Sequence, residues 1–214
     1  MKKLLITDVD GTLTKKSLVL SHCGYLIKEG IIKDDGSYKA WEKDIKNEEL
    51  IVAVAGNYRK SIIGKTIESL KPSEFINSFL SSKLENWYST LRELFHASET
   101  NYFDDIYLIT GSSDFLVKIL AKKLGVKYFA TKYFLDENNR LTGEIEGMFS
   151  ADQKEDCIQC NINPNEYQYI EGWGDTLSDC GIFKYCNYKI LVDPTKQTLE
   201  NMPLDINIDK IIEE

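Results

Sequence analysis

From residue 105 onward the sequence alternates short apolar runs with helical stretches, and this alternation constrains the fold more than any other feature. Residues 106–110 (IYLIT), 126–130, 167–170 and 188–192 read as strands, and helical patterns at 115–124, 152–160 and 176–186 separate them. Gly125 stops the first of these helices, and the cluster Gly111-Ser112-Ser113-Asp114 supplies its N-cap. A hairpin interrupts the series: Tyr133-Phe134-Leu135, the turn Asp136-Glu137-Asn138-Asn139, then residues 141–148. Repeated strand-helix-strand units require a mainly parallel sheet with helices on both faces, so the expected class is α/β, doubly wound and Rossmann-like. Sheets of this kind bind ligands beyond the carboxyl ends of their strands.

The first strand comes much earlier, at residues 3–9, within LLITDVDGTLT. An apolar run climbs to Asp8, and Asp10, Gly11 and Thr12 follow at once. Alternation along a strand would turn Asp8 and Asp10 the same way. Two unpaired carboxylates at the end of a buried run repel each other and lose solvation, which a hard divalent cation between them relieves. The plain alternative is an Asp-Gly surface turn. Two further polar clusters fall at the same edge of the expected sheet, Thr110/Gly111/Ser112 and Asp175/Asp179.

Asp10 and Thr110 lie 100 residues apart, far more than one crossover needs, and the stretch between them shows helical periodicity without a convincing strand. It is expected to be an all-α cap inserted after the first strand: residues 15–97 form the cap, and 1–14 with 98–214 form the core domain. A helix from Ser17 to Gly30, an Asp34-Asp35-Gly36 turn and a pattern from Glu48 to Leu70 come first. Pro72 opens the next helix, and Phe75, Ile76, Phe79, Leu80, Leu84, Trp87, Leu91 and Leu94 keep the spacing of one buried face. Ile206, Ile208, Ile211 and Ile212 imply that the tail docks.

A net charge of −8 disfavours nucleic acid and anionic membranes as partners, because both require a basic face. The run after Met1-Lys2-Lys3 is cut by Asp8 and Asp10 well short of a signal-peptide core, and no stretch approaches a membrane span, so a cytoplasmic protein is expected. Five cysteines without framework spacing read as reduced thiols, the Cys157-Ile-Gln-Cys160 pair included. His22 and His96 read as helix-face residues, Arg59 as a surface arginine, and Trp41, Trp87 and Trp173 as core or cap-rim residues, with Trp173 able to wall the site. Oligomeric state is not legible.

Four motifs, in this order and spacing, resemble the haloacid dehalogenase-like (HAD) superfamily of phosphohydrolases: DVDGT from Asp8, the run ending Thr110-Gly111-Ser112-Ser113, Lys154, and GDTLSD from Gly174 to Asp179. The hairpin and the run closed by Lys154 look like the phosphoserine phosphatase branch. The resemblance implies a Mg²⁺-dependent phosphatase of a small phosphorylated metabolite. Asp8 would be the nucleophile that forms an aspartyl-phosphate, and Asp10 the general acid and then base. Asp8, the Asp10 backbone carbonyl and Asp175 would hold the metal, with Asp179 orienting them. Thr110, Gly111 and Ser112 would bind phosphate, and Lys154 would offset its charge. Phosphoserine phosphatases carry a glutamate nine residues after the nucleophile, where it meets the substrate ammonium; Ser17 stands there, which weakens phosphoserine as the substrate. Ser178 likewise replaces their asparagine. Phosphoryl transfer to another acceptor, as in phosphomutases, and a non-catalytic phosphate- or Mg²⁺-binding module are the alternatives.

Overall fold

The computed structural model describes residues 2–82 and 87–213. Seven strands form one sheet in the order β4-β3-β2-β1-β5-β6-β7: β1 Lys3–Thr7, β2 Asp105–Ser113, β3 Lys127–Leu135, β4 Leu141–Glu146, β5 Tyr169–Gly174, β6 Tyr188–Val192 and β7 Lys210–Ile212. All neighbours are parallel except the β3–β4 hairpin. This is the expected α/β class, with β1 at the centre between β2 and β5.

Burial on both sides of β1 follows from its alternation. Leu5 packs into the larger apolar core with Leu116 and Leu120 of a helix at Asp114–Leu124. Leu4 and Ile6 face the other way, onto Cys157 and Ile158 of a helix at Ala151–Asn161. A strand covered on both faces therefore reads as a continuous apolar run, and it stops where the two carboxylates begin.

Among the described residues between β1 and β2 lie five α-helices, α1 Leu18–Lys28, α2 Ser37–Trp41, α3 Glu48–Ile62, α4 Pro72–Ser81 and α5 Ser89–Thr100, and a 3₁₀ turn at Glu68–Leu70. Ser17 caps α1, its hydroxyl accepting the Leu20 N–H, and Asn47 caps α3 in the same way. The apolar core of these helices is continuous with one face of the sheet, so Val54, Tyr58 and Phe75 share a cluster with Leu108 and Leu116. The Asp114–Leu124 helix is α6; α7 is Ala151–Asn161, α8 Cys180–Phe183 and α9 Lys196–Glu200.

Several expected elements differ in extent. The apolar periodicity from Phe75 to Leu94 belongs to two helices, α4 and α5, because the chain leaves helical geometry at Ser82 and Trp87 makes a bridge with Thr14 instead. Leu84 lies outside the described residues. Residues 127–135 form a single strand whose first half pairs with β2 and second half with β4. β5 runs on to Gly174, beyond the expected 170, and the expected 176–186 helix is a 3₁₀ turn at Leu177–Asp179 followed by the four-residue α8. The tail docks by adding β7 beside β6 and burying Ile206, while Ile211 stays 46% exposed.

His22 is fully buried, with Nδ1 2.9 Å from the Tyr58 hydroxyl and Nε2 2.8 Å from the Leu70 carbonyl oxygen. A carbonyl only accepts, so Nε2 carries the proton and Nδ1 accepts from Tyr58. Burial pushes the imidazole down to about 4, against a smaller opposing effect of the Leu70 carbonyl. Unfolded chains then bind a proton at His22 that the folded protein refuses between pH 4 and 6.5. Stability from this residue is therefore present above that window and lost as pH falls through it, by about 3 kcal/mol in full. Denaturation of wild type and His22→Gln across pH 4 to 7 checks this: the wild-type advantage should grow with pH, and a constant difference contradicts it.

Candidate active site

Because β1, β2 and β5 are adjacent and parallel, their carboxyl ends deliver Asp8, residues 110–112 and Asp175 to one edge. Asp8 is 6% exposed; its Oδ1 accepts the Val9 N–H at 2.6 Å and its Oδ2 lies 2.8 Å from the Lys154 Nζ. Lys154, 1% exposed on α7, reaches Asp179 Oδ1 at 2.6 Å as well. A capping box between Ser150 and Gln153 starts α7 and fixes where Lys154 points. Asp179 Oδ2 accepts the backbone N–H groups of Asp175 (2.9 Å) and Thr176 (3.0 Å). Asp175 Oδ1 accepts the Thr12 hydroxyl at 3.1 Å.

Asp10 turns away from this cluster. Its Oδ1 accepts the Leu18 N–H at 2.8 Å, and its Oδ2 accepts hydroxyls from Ser112 (2.7 Å) and Ser17 (3.1 Å). The two aspartates thus diverge in environment although their spacing would place extended residues on one face. The strand ends at Thr7 and the chain bends at Val9 between them, before a turn at Gly11. Its φ of +77° suits glycine, and a β-carbon there would lie 2.0 Å from Asp175 Oδ2.

Electrostatics follow from burial. It raises Asp8 to about 6, with Lys154 pulling the other way and Asp179 and Asp10 adding to the rise. Asp175 is raised well above the usual carboxylate range by burial and then by Asp179 and Asp8. Asp10 is raised by burial against its three hydrogen bonds. Burial also lowers Lys154, but Asp179 and Asp8 outweigh it and hold the ammonium well above its ordinary value.

Asp8, Asp175 and Asp179 offer carboxylate oxygens within 4.8 Å of one another. Two buried acids and the half-buried Asp175, clustered with a single lysine, leave negative charge uncompensated, and their all-oxygen donor set fits a hard cation such as Mg²⁺. Asp179 is the most heavily engaged of the three, its Oδ1 by Lys154 and its Oδ2 by two backbone N–H groups, whereas each Asp8 oxygen takes one partner and Asp175 Oδ1 takes Thr12, so Asp8 and Asp175 keep more lone-pair capacity for a cation.

A cavity of about 470 Å³ opens onto Asp8, Asp10, Gly111, Lys154 and Asp175. Thr110 and Ser112 are fully buried, and the Thr110 hydroxyl accepts the Ser112 N–H at 3.3 Å. Trp41 lines the cavity, whereas Trp173 is a core residue with its indole N–H on Glu171, because it points into the face that packs on α6. Arg59 is not among the lining residues. Cys157 is buried and Cys160 exposed, with no disulfide. The sequence did not reveal that Ser17 and Ser112 grip Asp10 or that Ile45, Lys46, Ile51 and Tyr88 face the cavity; Ile51 falls within the expected helical pattern from Glu48 to Leu70, while Ile45 and Lys46 sit in a turn and Tyr88 at the N-cap of α5. No helix among the described residues is long and apolar enough to cross a membrane.

No family model matches the sequence, and no curated protein matches it. Solved structures do. A phosphoserine phosphatase in apo form covers 100% of this chain and 94% of its own at 18% identity and a TM-score of 0.65. A phospho-aspartyl intermediate analogue of phosphoserine phosphatase does so over 100% and 94% at 19% identity and 0.62. A HAD family hydrolase from Salmonella enterica serovar Typhi matches over 98% of this chain and 67% of its own at 15% identity and 0.63. At such identities the likeness is one of fold, and it spans the helices between β1 and β2 as well as the sheet. The chain has the HAD-like fold of the phosphoserine phosphatases.

Proposed function

We propose that the chain is a Mg²⁺-dependent phosphatase that hydrolyses a small phosphomonoester through an aspartyl-phosphate on Asp8. The observation that carries this reading is the divergence of the two aspartates around one cavity. Asp8 shares Lys154 and the acid cluster, while Asp10 is held apart by hydroxyls. This separation supports attack by Asp8 and proton transfer by Asp10.

Asp8 is ionised at neutral pH, and the fixed Lys154 ammonium restricts which oxygen faces the cavity. Attack on phosphorus forms the Asp8–phosphate bond as the ester P–O bond breaks, and the leaving oxygen takes its proton from Asp10. Burial favours that proton on Asp10. The Ser17 and Ser112 hydroxyls can each donate to the carboxylate or accept from the acid, so Asp10 keeps its partners in both protonation states. Asp10 then removes a proton from the water that opens the intermediate.

Mg²⁺, held by Asp8, Asp175 and the Asp10 backbone carbonyl, would supply charge neutralisation at a phosphate oxygen. Gly111, which lines the cavity, would meet a phosphate oxygen, with the fully buried Thr110 and Ser112 supporting it from behind, and Lys154 would offset charge as it grows in the transition state. The similar fold of a phosphoserine phosphatase trapped as a phospho-aspartyl intermediate analogue supports the covalent route. Purified protein should release phosphate from 4-nitrophenyl phosphate with Mg²⁺ and stop when the metal is chelated. Absence of release with metal present contradicts the reading.

A further inference from the structure

We propose that the leaving-group side of the cavity selects phosphomonoesters of apolar, alkyl- or aryl-bearing alcohols and disfavours those carrying an ammonium group, an inference that rests on the phosphatase reading. At about 470 Å³ the cavity exceeds what a phosphate fills. Beyond the acid cluster, its wall is built from Leu20 of α1, Trp41 of α2, Ile45, Ile51 of α3, and Met148 and Phe149 after β4. Phe149 is 55% exposed, so the apolar wall has area left to cover.

The charges on that side decide the second half. Asp193 is the one carboxylate among the described lining residues outside Asp8, Asp10 and Asp175, and it is engaged. Its Oδ2 takes the Lys46 ammonium at 2.9 Å and the Tyr88 hydroxyl at 2.8 Å. The other charged group there is a second cation, Lys15, whose Nζ sits 5.5 Å from the Tyr88 ring centroid and occupies that aromatic face. The Ser17 hydroxyl donates to Asp10, and Thr176, Ser178, Thr195 and Gln197 are neutral. An ammonium entering this side would meet the unneutralised Lys15 and an Asp193 carboxylate whose charge Lys46 already offsets, so little there replaces its water, which is unfavourable. An apolar group would lose water against Ile45, Ile51 and Phe149, which is favourable.

Ethyl phosphate, benzyl phosphate and phosphoethanolamine share a primary-alcohol leaving oxygen, so comparison of kcat/KM across them isolates the cavity. Benzyl phosphate should exceed ethyl phosphate by about tenfold or more, and phosphoethanolamine should fall below ethyl phosphate. Ile51→Asp should cut the benzyl-to-ethyl ratio by about fivefold or more, while Ile51→Val keeps it. The inference is overturned if phosphoethanolamine matches or exceeds ethyl phosphate, if benzyl phosphate gains nothing, or if Ile51→Asp leaves the ratio unchanged. Turnover of 4-nitrophenyl phosphate alongside any of these outcomes removes the inference and leaves the phosphatase reading standing. No release from any ester, 4-nitrophenyl phosphate included, removes both.

Discussion

Asp8→Asn is expected to lower phosphate release by roughly 10⁴-fold or more, because an amide neither attacks phosphorus nor forms an acyl phosphate, and groups that act as a unit lose most of their effect together. The same substitution should leave the metal-free protein at least as stable as wild type. Folding raises Asp8 from 3.8 to about 6, first through burial. The folded protein therefore binds a proton there that the unfolded chain releases, and the contribution of Asp8 to stability falls as pH rises through that window. At neutral pH an ionised Asp8 is a cost, which asparagine removes, and Lys154 keeps Asp179 at 2.6 Å. Paired denaturation and phosphate-release measurements check both halves. Unfolding of the variant at neutral pH would assign Asp8 a structural part that the geometry does not give it.

Lys154→Met should fail in the opposite manner, losing both activity and stability. The lysine is 1% exposed and stands between Asp8 and Asp179. Its removal leaves three clustered acids without a cation, and breaking a buried pair in this way costs about 3–5 kcal/mol. Saturating Mg²⁺ should recover part of that stability, since it supplies positive charge to the same cluster. Denaturation midpoints of wild type and variant, with and without Mg²⁺, are the measurement. A variant as stable as wild type in the absence of metal, or one that Mg²⁺ does not help, contradicts the assignment.

The sheet was legible because its signals are local. The apolar run of β1, the 106–110 run of β2 and the Gly125 stop of α6 each follow from neighbouring residues. The polar residues at strand ends were legible for the same reason: once the sheet is parallel, chain position alone brings them to one edge. The apolar period from Phe75 to Leu94 misled, because two successive helices packed on one core preserve a common spacing across the break between them. β7 was missed because three residues, Lys210 to Ile212, carry too little pattern to reveal pairing with β6.

Side-chain partnerships were the least legible. That Ser112 rather than solvent meets Asp10 depends on contact across 102 positions of chain, and that Lys46 meets Asp193 depends on contact across 147. Nothing in local composition encodes either. The cavity wall away from the acid cluster includes such contacts, so its lining could not be read from the sequence.

During turnover the phosphoryl group is expected to reside on Asp8. Enzyme mixed with a phosphomonoester and Mg²⁺, quenched in acid and digested, should carry one phosphoryl group on the peptide containing Asp8, and Asp8→Asn should carry none. Phosphate release with the phosphoryl group found on Asp10, Asp175 or a hydroxyl residue instead would contradict the account.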